Sequence, residues 1–416
     1  MRLAREAALA AFFLLAAIAS ASAVNAPPAP KKVEPDVLFE QGQFDAAEAG
    51  YQAVPKTSPG YEGALRQLGA IALYRNHPQE AELRLRNALA HNPADTRCAS
   101  LLAETLNREG KFAEMVQMLR QFGRPERAAE FELFGKSQPY RVRGRAAPVT
   151  IPFVQPNPLP AIGAKANDLE GLFLIDTGGA EVLLDPEFAR EAHVATTANA
   201  QGASSAGRPA APSFGRIAQF VLSGLETDDV PAMLVSTKAF SSMARGKKVA
   251  GIIGTEYLSQ FRTTLDYVRN RLILEPREAP ARTGGSIAEI PFWMAGDHFL
   301  LAQGRLDRGP KQLLLVDTAF GRLAFTGPES TLQDAGITVP AAQAAPSGRP
   351  PIAKFPIAQL SLGSLEEKNI SGIYGAFPPG LENGLGVHVG GIVSHEYFLP
   401  YAVTFDFVRM KIAIRK

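Results

Sequence analysis

Two stretches decide how this chain is read: Leu172-Phe173-Leu174-Ile175-Asp176-Thr177-Gly178 and Leu313-Leu314-Leu315-Val316-Asp317-Thr318-Ala319. In each, an apolar run of strand length delivers an aspartate followed by a threonine and a small residue. The two Asp-Thr pairs lie 141 residues apart, and Gly207-Arg208-Pro209 matches Gly348-Arg349-Pro350 at the same spacing. At an offset of 140, Ile217-Ala218-Gln219 matches Ile357-Ala358-Gln359 and Gly251-Ile252-Ile253 matches Gly391-Ile392-Val393. Glu256-Tyr257 likewise matches Glu396-Tyr397, and Asp266, Val268 and Arg269 match Asp406, Val408 and Arg409. Upstream, Ile151-Pro152-Phe153 matches Ile290-Pro291-Phe292. Ordered matches at a nearly constant offset define a unit of about 130 residues that occurs twice.

Within both copies, short runs of Val, Ile, Leu and Phe alternate with Gly, Pro, Asn and Asp, the pattern of an all-β domain. Asp266 and Asp406 each lie in an apolar run and precede an arginine by three residues, which reads as the turn of a terminal hairpin and not as a second reactive pair.

These residues resemble the retropepsin-like aspartic proteases, in which an apolar strand carries Asp-Thr-Gly into a loop and a later apolar-apolar-Gly segment packs around it. The resemblance covers residues 147–416. It implies two retropepsin-like units, 147–278 and 287–416, joined by a linker at 279–286 and paired as a pseudo-dimer within one chain. Asp176 and Asp317 are then the catalytic dyad, and Thr177 and Thr318 cross-bond the two loops. Gly178, Ala319, Gly254 and Ser394 support the active-site loops. Gly207, Arg208, Gly348 and Arg349 fall in Gly-, Ala-, Ser- and Pro-rich stretches where retropepsins have substrate-covering flaps.

The chemistry requires a pair. Two carboxylates sharing a site cannot both ionise cheaply, so one proton is held between them. One carboxylate then acts as general base on a water and the other as general acid toward the peptide carbonyl, with no cofactor or metal. The second copy departs from the first by Ala319 for Gly178, Ser394 for Gly254 and Phe320 for Gly179. The bulk of Phe320 predicts crowding of the cleft. Neither Gly179 nor Phe320 carries a hydroxyl to favour an ionised carboxylate, which predicts an optimum less acidic than that of an acid-adapted protease.

The N-terminal third reads differently. Arg2 and Arg5 precede an apolar stretch from Ala7 to Ala19, and Ala21-Ser22-Ala23 offers a cleavage site, so residues 1–23 read as a signal peptide. The stretch is shorter than the roughly 20 residues of a spanning helix. Residues 24–36 form a flexible leader rich in proline and alanine. From 37 to 135, Gly42, Asn76 and Gly110 recur with a 34-residue period, as do Phe44, Pro78 and Phe112. Ala47 and Ala81, and Pro59 and Pro93, hold two further phases. The spacing resembles the tetratricopeptide (TPR) repeat and implies antiparallel helix pairs able to bind a protein partner. Residues 136–146 read as a linker.

Composition bounds the rest. With 416 residues, 46% apolar and 20% charged, the chain has enough material for several packed domains, and the expected fold is multi-domain: TPR-like all-α repeats followed by all-β tandem units. A net charge of +2 without a basic run excludes an electrostatic footprint for nucleic acid. A single cysteine, Cys98, precludes an internal disulfide and sits on an apolar helical segment as a core residue. The six histidines show no metal-ligand spacing. The expectation is an exported, periplasmic aspartic endopeptidase acting on a peptide or protein substrate. The alternatives are an inactive peptide binder on the same fold and a scaffold working through its helices alone.

Overall fold

The computed structural model describes residues 34–144, 147–197, 213–242, 244–280, 284–321, 323–339, 352–378 and 380–416. Among the described residues, seven helices come first: α1 (Glu34–Glu40), α2 (Phe44–Gln52), α3 (Tyr61–Tyr74), α4 (Pro78–His91), α5 (Thr96–Arg108), α6 (Phe112–Gln121) and α7 (Pro125–Glu132). The 34-residue period has a backbone cause. Gly42, Asn76 and Gly110 follow α1, α3 and α5 with φ of 70°, 59° and 70°, the left-handed conformation that stops a helix and turns the chain back. Pro78 and Pro125 open α4 and α7, where a missing N–H costs nothing. Gly69 of α3 lies so close to Leu85 of α4 that a β-carbon there would fall 2.6 Å from the leucine side chain. Cys98 is buried in α5, its thiol pushed up to about 12 by burial, which makes it an inert core residue.

After β1 (Arg141–Val142) and β2 (Val149–Pro152), the first unit runs through β3 (Ala161–Ala166), β4 (Leu169–Ile175), β5 (Val182–Leu184), helix α8 (Pro186–Glu191), β6 (Ala195–Thr196), β7 (Ser213–Leu222), β8 (Leu225–Leu234) and β9 (Gly251–Ile253). Pairing proceeds β3-β4-β9-β5-β8-β7 and returns from β7 to β3, closing a six-stranded barrel. Helix α9 (Thr255–Leu258) and the hairpin β10 (Phe261–Asp266) and β11 (Arg271–Pro276) complete the unit.

The second unit repeats the plan. It comprises β12 (Ala288–Ala295), β13 (Phe299–Leu306), β14 (Gln312–Val316), β15 (Phe325–Thr326), helix α10 (Glu329–Asp334), β16 (Ala353–Leu362), β17 (Leu365–Tyr374), helix α11 (Leu381–Leu385), β18 (Gly391–Val393), helix α12 (His395–Phe398), β19 (Ala402–Asp406) and β20 (Lys411–Arg415). Strands β13, β14, β18, β15, β17 and β16 close the second barrel through the β13–β16 pair. In both barrels the strand leading to the aspartate runs parallel to the later Gly-Ile-Ile or Gly-Ile-Val strand.

A six-stranded sheet, β2-β11-β10-β19-β20-β12, welds the units together. At its centre β10 pairs antiparallel with β19, and the Thr264 and Thr404 hydroxyls meet at 2.8 Å on the pseudo-twofold axis. Asp266 accepts from the Arg269 N–H and Arg271 Nε, and Asp406 from the Val408 and Arg409 N–H groups, so both aspartates cap hairpin turns as expected.

The helices form no separate module. Phe44, Leu73, Leu106 and Leu119 share one apolar core with Leu301, Leu313, Leu315 and Ile392 on the outer face of the second barrel. The Tyr74 hydroxyl donates to the Leu385 carbonyl, Asn76 Nδ2 to the Phe407 carbonyl, and Trp293 packs edge-on against Phe44. Among the described residues, no helix is long and apolar enough to cross a membrane.

Candidate active site

Strands β4 and β14 present Asp176 and Asp317 in equivalent ways. Each aspartate donates its backbone N–H to the last residue of the neighbouring parallel strand, Asp176 to the Ile253 carbonyl and Asp317 to the Val393 carbonyl, both at 3.0 Å. Each carboxylate accepts a backbone N–H two residues on: Asp176 Oδ1 from Gly178 at 2.7 Å and Asp317 Oδ1 from Ala319 at 3.0 Å. The loops are tied to each other by reciprocal bonds. Thr177 N–H donates to Thr318 Oγ1 and Thr318 N–H to Thr177 Oγ1, both at 3.1 Å, while Thr177 Oγ1 donates to the Val316 carbonyl. Both threonines are fully buried, so these bonds are shielded from water.

This cross-bonding brings the aspartates face to face. A β-carbon on Gly178 would overlap the Asp317 carboxylate, and one on Gly179 would come within 3.6 Å of Asp176 Oδ2. The glycine of the first tripeptide is therefore demanded by the opposing carboxylate. Gly254 is required for a different reason, because a β-carbon there would strike the carbonyls of Ala180 and Glu181.

The replacements in the second unit have physical accommodation. Ala319 packs into an apolar cluster with Leu159, Leu174 and Ile252 of the first unit. Ser394 is buried at the start of α12 in extended backbone, its N–H donating to the Ala324 carbonyl. Phe320 does not crowd the cleft as its size predicts: it is fully buried in the core shared by the helices and the second barrel. Gly207, Arg208, Gly348 and Arg349 lie outside the described residues.

The electrostatics follow from burial and proximity. Burial raises the Asp176 carboxyl, opposed by its Gly178 and Gly179 backbone donors, by hydrogen bonding with Asp317 and by the nearby His298. Burial raises Asp317 well above the carboxylate range, and the negative charge of Asp176 raises it further. The pair therefore retains one proton to higher pH than either carboxyl would alone, with Asp176 the more readily ionised member.

Several groups around the site carry no signal in the Asp-Thr pattern. Thr255 Oγ1 donates to the Thr177 carbonyl at 2.9 Å and pins the first loop from α9, whereas the equivalent residue in the second unit is the buried His395. Glu181 and Glu256 are buried beside the first loop, and Asp297 and His298 lie at the β12–β13 turn of the second unit. The only sequence trace of these was Glu256, through its repetition at Glu396.

Residues 162–257 match the aspartyl protease family model, which spans the first barrel from β3 to α9 and includes Asp176, Thr177 and Gly178. Among solved structures, the chain is similar to a retropepsin-like aspartic protease from Rickettsia conorii, at 18% identity over 31% of this chain and 89% of that one, with a TM-score of 0.22. A search of curated proteins returns no match. Residues 162–257 thus match an aspartyl protease family model, within the first of two tandem six-stranded β-barrels that follow a helical region.

Proposed function

We propose that this protein is an exported single-chain aspartic endopeptidase whose reacting carboxyls are Asp176 and Asp317. The observation that carries the reading is the pairing of two buried aspartates, one from each unit, across the reciprocal Thr177–Thr318 bonds. In this reading a water sits between the carboxyls. Ionised Asp176 takes a proton from it as the water oxygen bonds to the substrate carbonyl carbon, and protonated Asp317 gives its proton to the carbonyl oxygen. The resulting gem-diol returns a proton to Asp317. Asp176 passes its proton to the amide nitrogen, the C–N bond breaks, and an acid and an amine leave.

The raised carboxyls support an optimum above the strongly acid range, since the shared proton survives to higher pH. Export rests on Arg2, Arg5 and the Ala7 to Ala19 stretch, with a periplasmic destination. A protein partner would dock on the helices, where Leu83 is 73% exposed.

The test is cleavage of a random peptide library by residues 24–416 between about pH 3 and 8, beside Asp176→Asn and Asp317→Asn. Expected is cleavage by the wild type, with a maximum above about pH 3, and its loss in both variants. Activity surviving either substitution would remove that aspartate from the dyad. Peptide capture without cleavage by a folded wild type would instead make the protein an inactive binder.

A further inference from the structure

A charged side chain of the helical region reaches the first active-site loop. Arg127 of α7 contacts the carboxylate of Glu181, bonds Glu130 at 2.5 Å, approaches Glu256 to 3.3 Å and lies 3.9 Å from Asp297. Its guanidinium also sits over the rings of Phe131 and Phe214, 5.1 and 5.7 Å from their centroids. Glu181 follows the first tripeptide closely, and Glu256 stands two residues past Gly254. The backbones that carry them are bonded together, Glu256 N–H to the Ala180 carbonyl and Thr255 N–H to the Gly179 carbonyl. Arg127 thus grips both segments that frame Asp176, and through Asp297 it touches the opposite unit.

Burial makes this contact consequential. Glu130, Glu181 and Glu256 are nearly inaccessible to water, and buried carboxylates without a cation are costly. The other charged or titratable neighbours are Tyr140, whose hydroxyl donates to Glu256 at 3.0 Å, and His298, whose ring bonds Asp297. From α5, Arg108 bonds Glu104 and donates to the carbonyls of Met294 and Gly296, fixing the turn that holds Asp297.

We infer that Arg127 is a positioning residue for peptide-bond cleavage: by bracing Glu181 and Glu256 it sets the loops that present Asp176 and neutralises the carboxylates beside the dyad. The helical region is then a working part of the active site. This inference rests on the peptidase reading above, and its test separates the two.

The test compares the full mature chain with Arg127→Met, Arg127→Lys and the double variant Arg127→Met/Glu256→Gln. Arg127→Met is expected to lower kcat by about 10- to 100-fold with KM little changed, as a small misplacement of reacting groups does. Its pH–kcat profile should move to higher pH, because the uncompensated negative charge tightens proton binding by the dyad. Arg127→Lys keeps the charge but loses the planar fork, and should restore the profile and part of the rate. Arg127→Met/Glu256→Gln should return the profile toward that of the wild type. Hydrogen exchange reports independently of turnover: faster exchange in Arg127→Met confined to residues 176–184 and 251–260 supports the assignment. Unchanged kcat and profile, or a loss equal at every pH with faster exchange throughout the chain, overturns it. A wild type that cleaves nothing overturns the peptidase reading alone, and unaltered exchange at 176–184 would then overturn the positioning role as well.

Discussion

The two units build the same six-stranded barrel, yet they bury its outer face under different material. In the first, Leu174, Leu183 and Ile252 are covered by Leu159, Phe240, Ala244 and Val249, all from the same unit, with Ala319 added from across the pseudo-twofold. In the second, Leu313, Leu315 and Ile392 lie under a local segment carrying Leu381 and Leu385 and then under the helices. The residue after each tripeptide records this difference. Gly179 in the first unit lies against Asp176 and Gly254 without a side chain, whereas Phe320 in the second is buried in the helix–barrel core. A duplicated unit need not be two independent domains: the second barrel borrows its outer layer from sequence 186 to 331 residues upstream, and apolar burial pays for that dependence.

The comparison can be broken most severely by removing the helices. A fragment of residues 137–416 should lose cooperative unfolding and precipitate, because the apolar surface that Phe44, Leu73, Leu106 and Leu119 cover on the second barrel would turn to water. Circular dichroism with a thermal melt checks this. A soluble, cooperatively folded fragment would mean that the second barrel closes without them.

The tripeptides offer the next test. Gly178→Ala should depress kcat/KM by at least about 100-fold, since its methyl would displace the Asp317 carboxylate. Ala319→Gly should stay within about threefold of the wild type, because that methyl packs against apolar atoms. Equal losses in steady-state assays of the two would erase the asymmetry.

A smaller effect is expected from core truncation. Leu315→Ala should cost about 2–5 kcal/mol in urea unfolding, as Leu315 is fully buried between barrel and helices. A substantially smaller cost would show that the helix layer relaxes into the gap.

The finest test is pH-dependent. Burial pushes Glu130 up to about 7 from an ordinary 4.5, despite its pairing with Arg127. The native state then binds more protons than the unfolded chain between those values, so this group makes stability fall as pH rises through that window. Glu130→Gln should remove that slope, a change on the order of 2–3 kcal/mol between pH 4.5 and 7, measured from urea midpoints. A parallel pH dependence in variant and wild type would assign the titration elsewhere.

Much of this was legible in the chain itself. The constant offset exposed the duplication, since each repeated residue answers to a local backbone demand: Gly251 and Gly391 begin equivalent strands, and Asp266 and Asp406 cap equivalent turns. The helical period was legible for the same reason, because left-handed turn residues at 42, 76 and 110 are chosen locally. The unbroken apolar run Leu313-Leu314-Leu315-Val316 suits a strand covered on both faces. Phe320 was misread because its neighbours come from distant segments, and sequence order gives side-chain size without the direction in which it points.

Sequence by itself therefore determined the tandem units, the helical region and the candidate aspartates, all of which rest on periodicity and short-range patterning. Only the tertiary structure decided that Phe320 turns into the helix–barrel core, that the helices complete the second barrel, and that Arg127 meets Glu181 and Glu256. Those contacts join segments far apart in the chain, and a long-range contact leaves no period behind: it exists only where folding has brought the partners together and excluded water from between them.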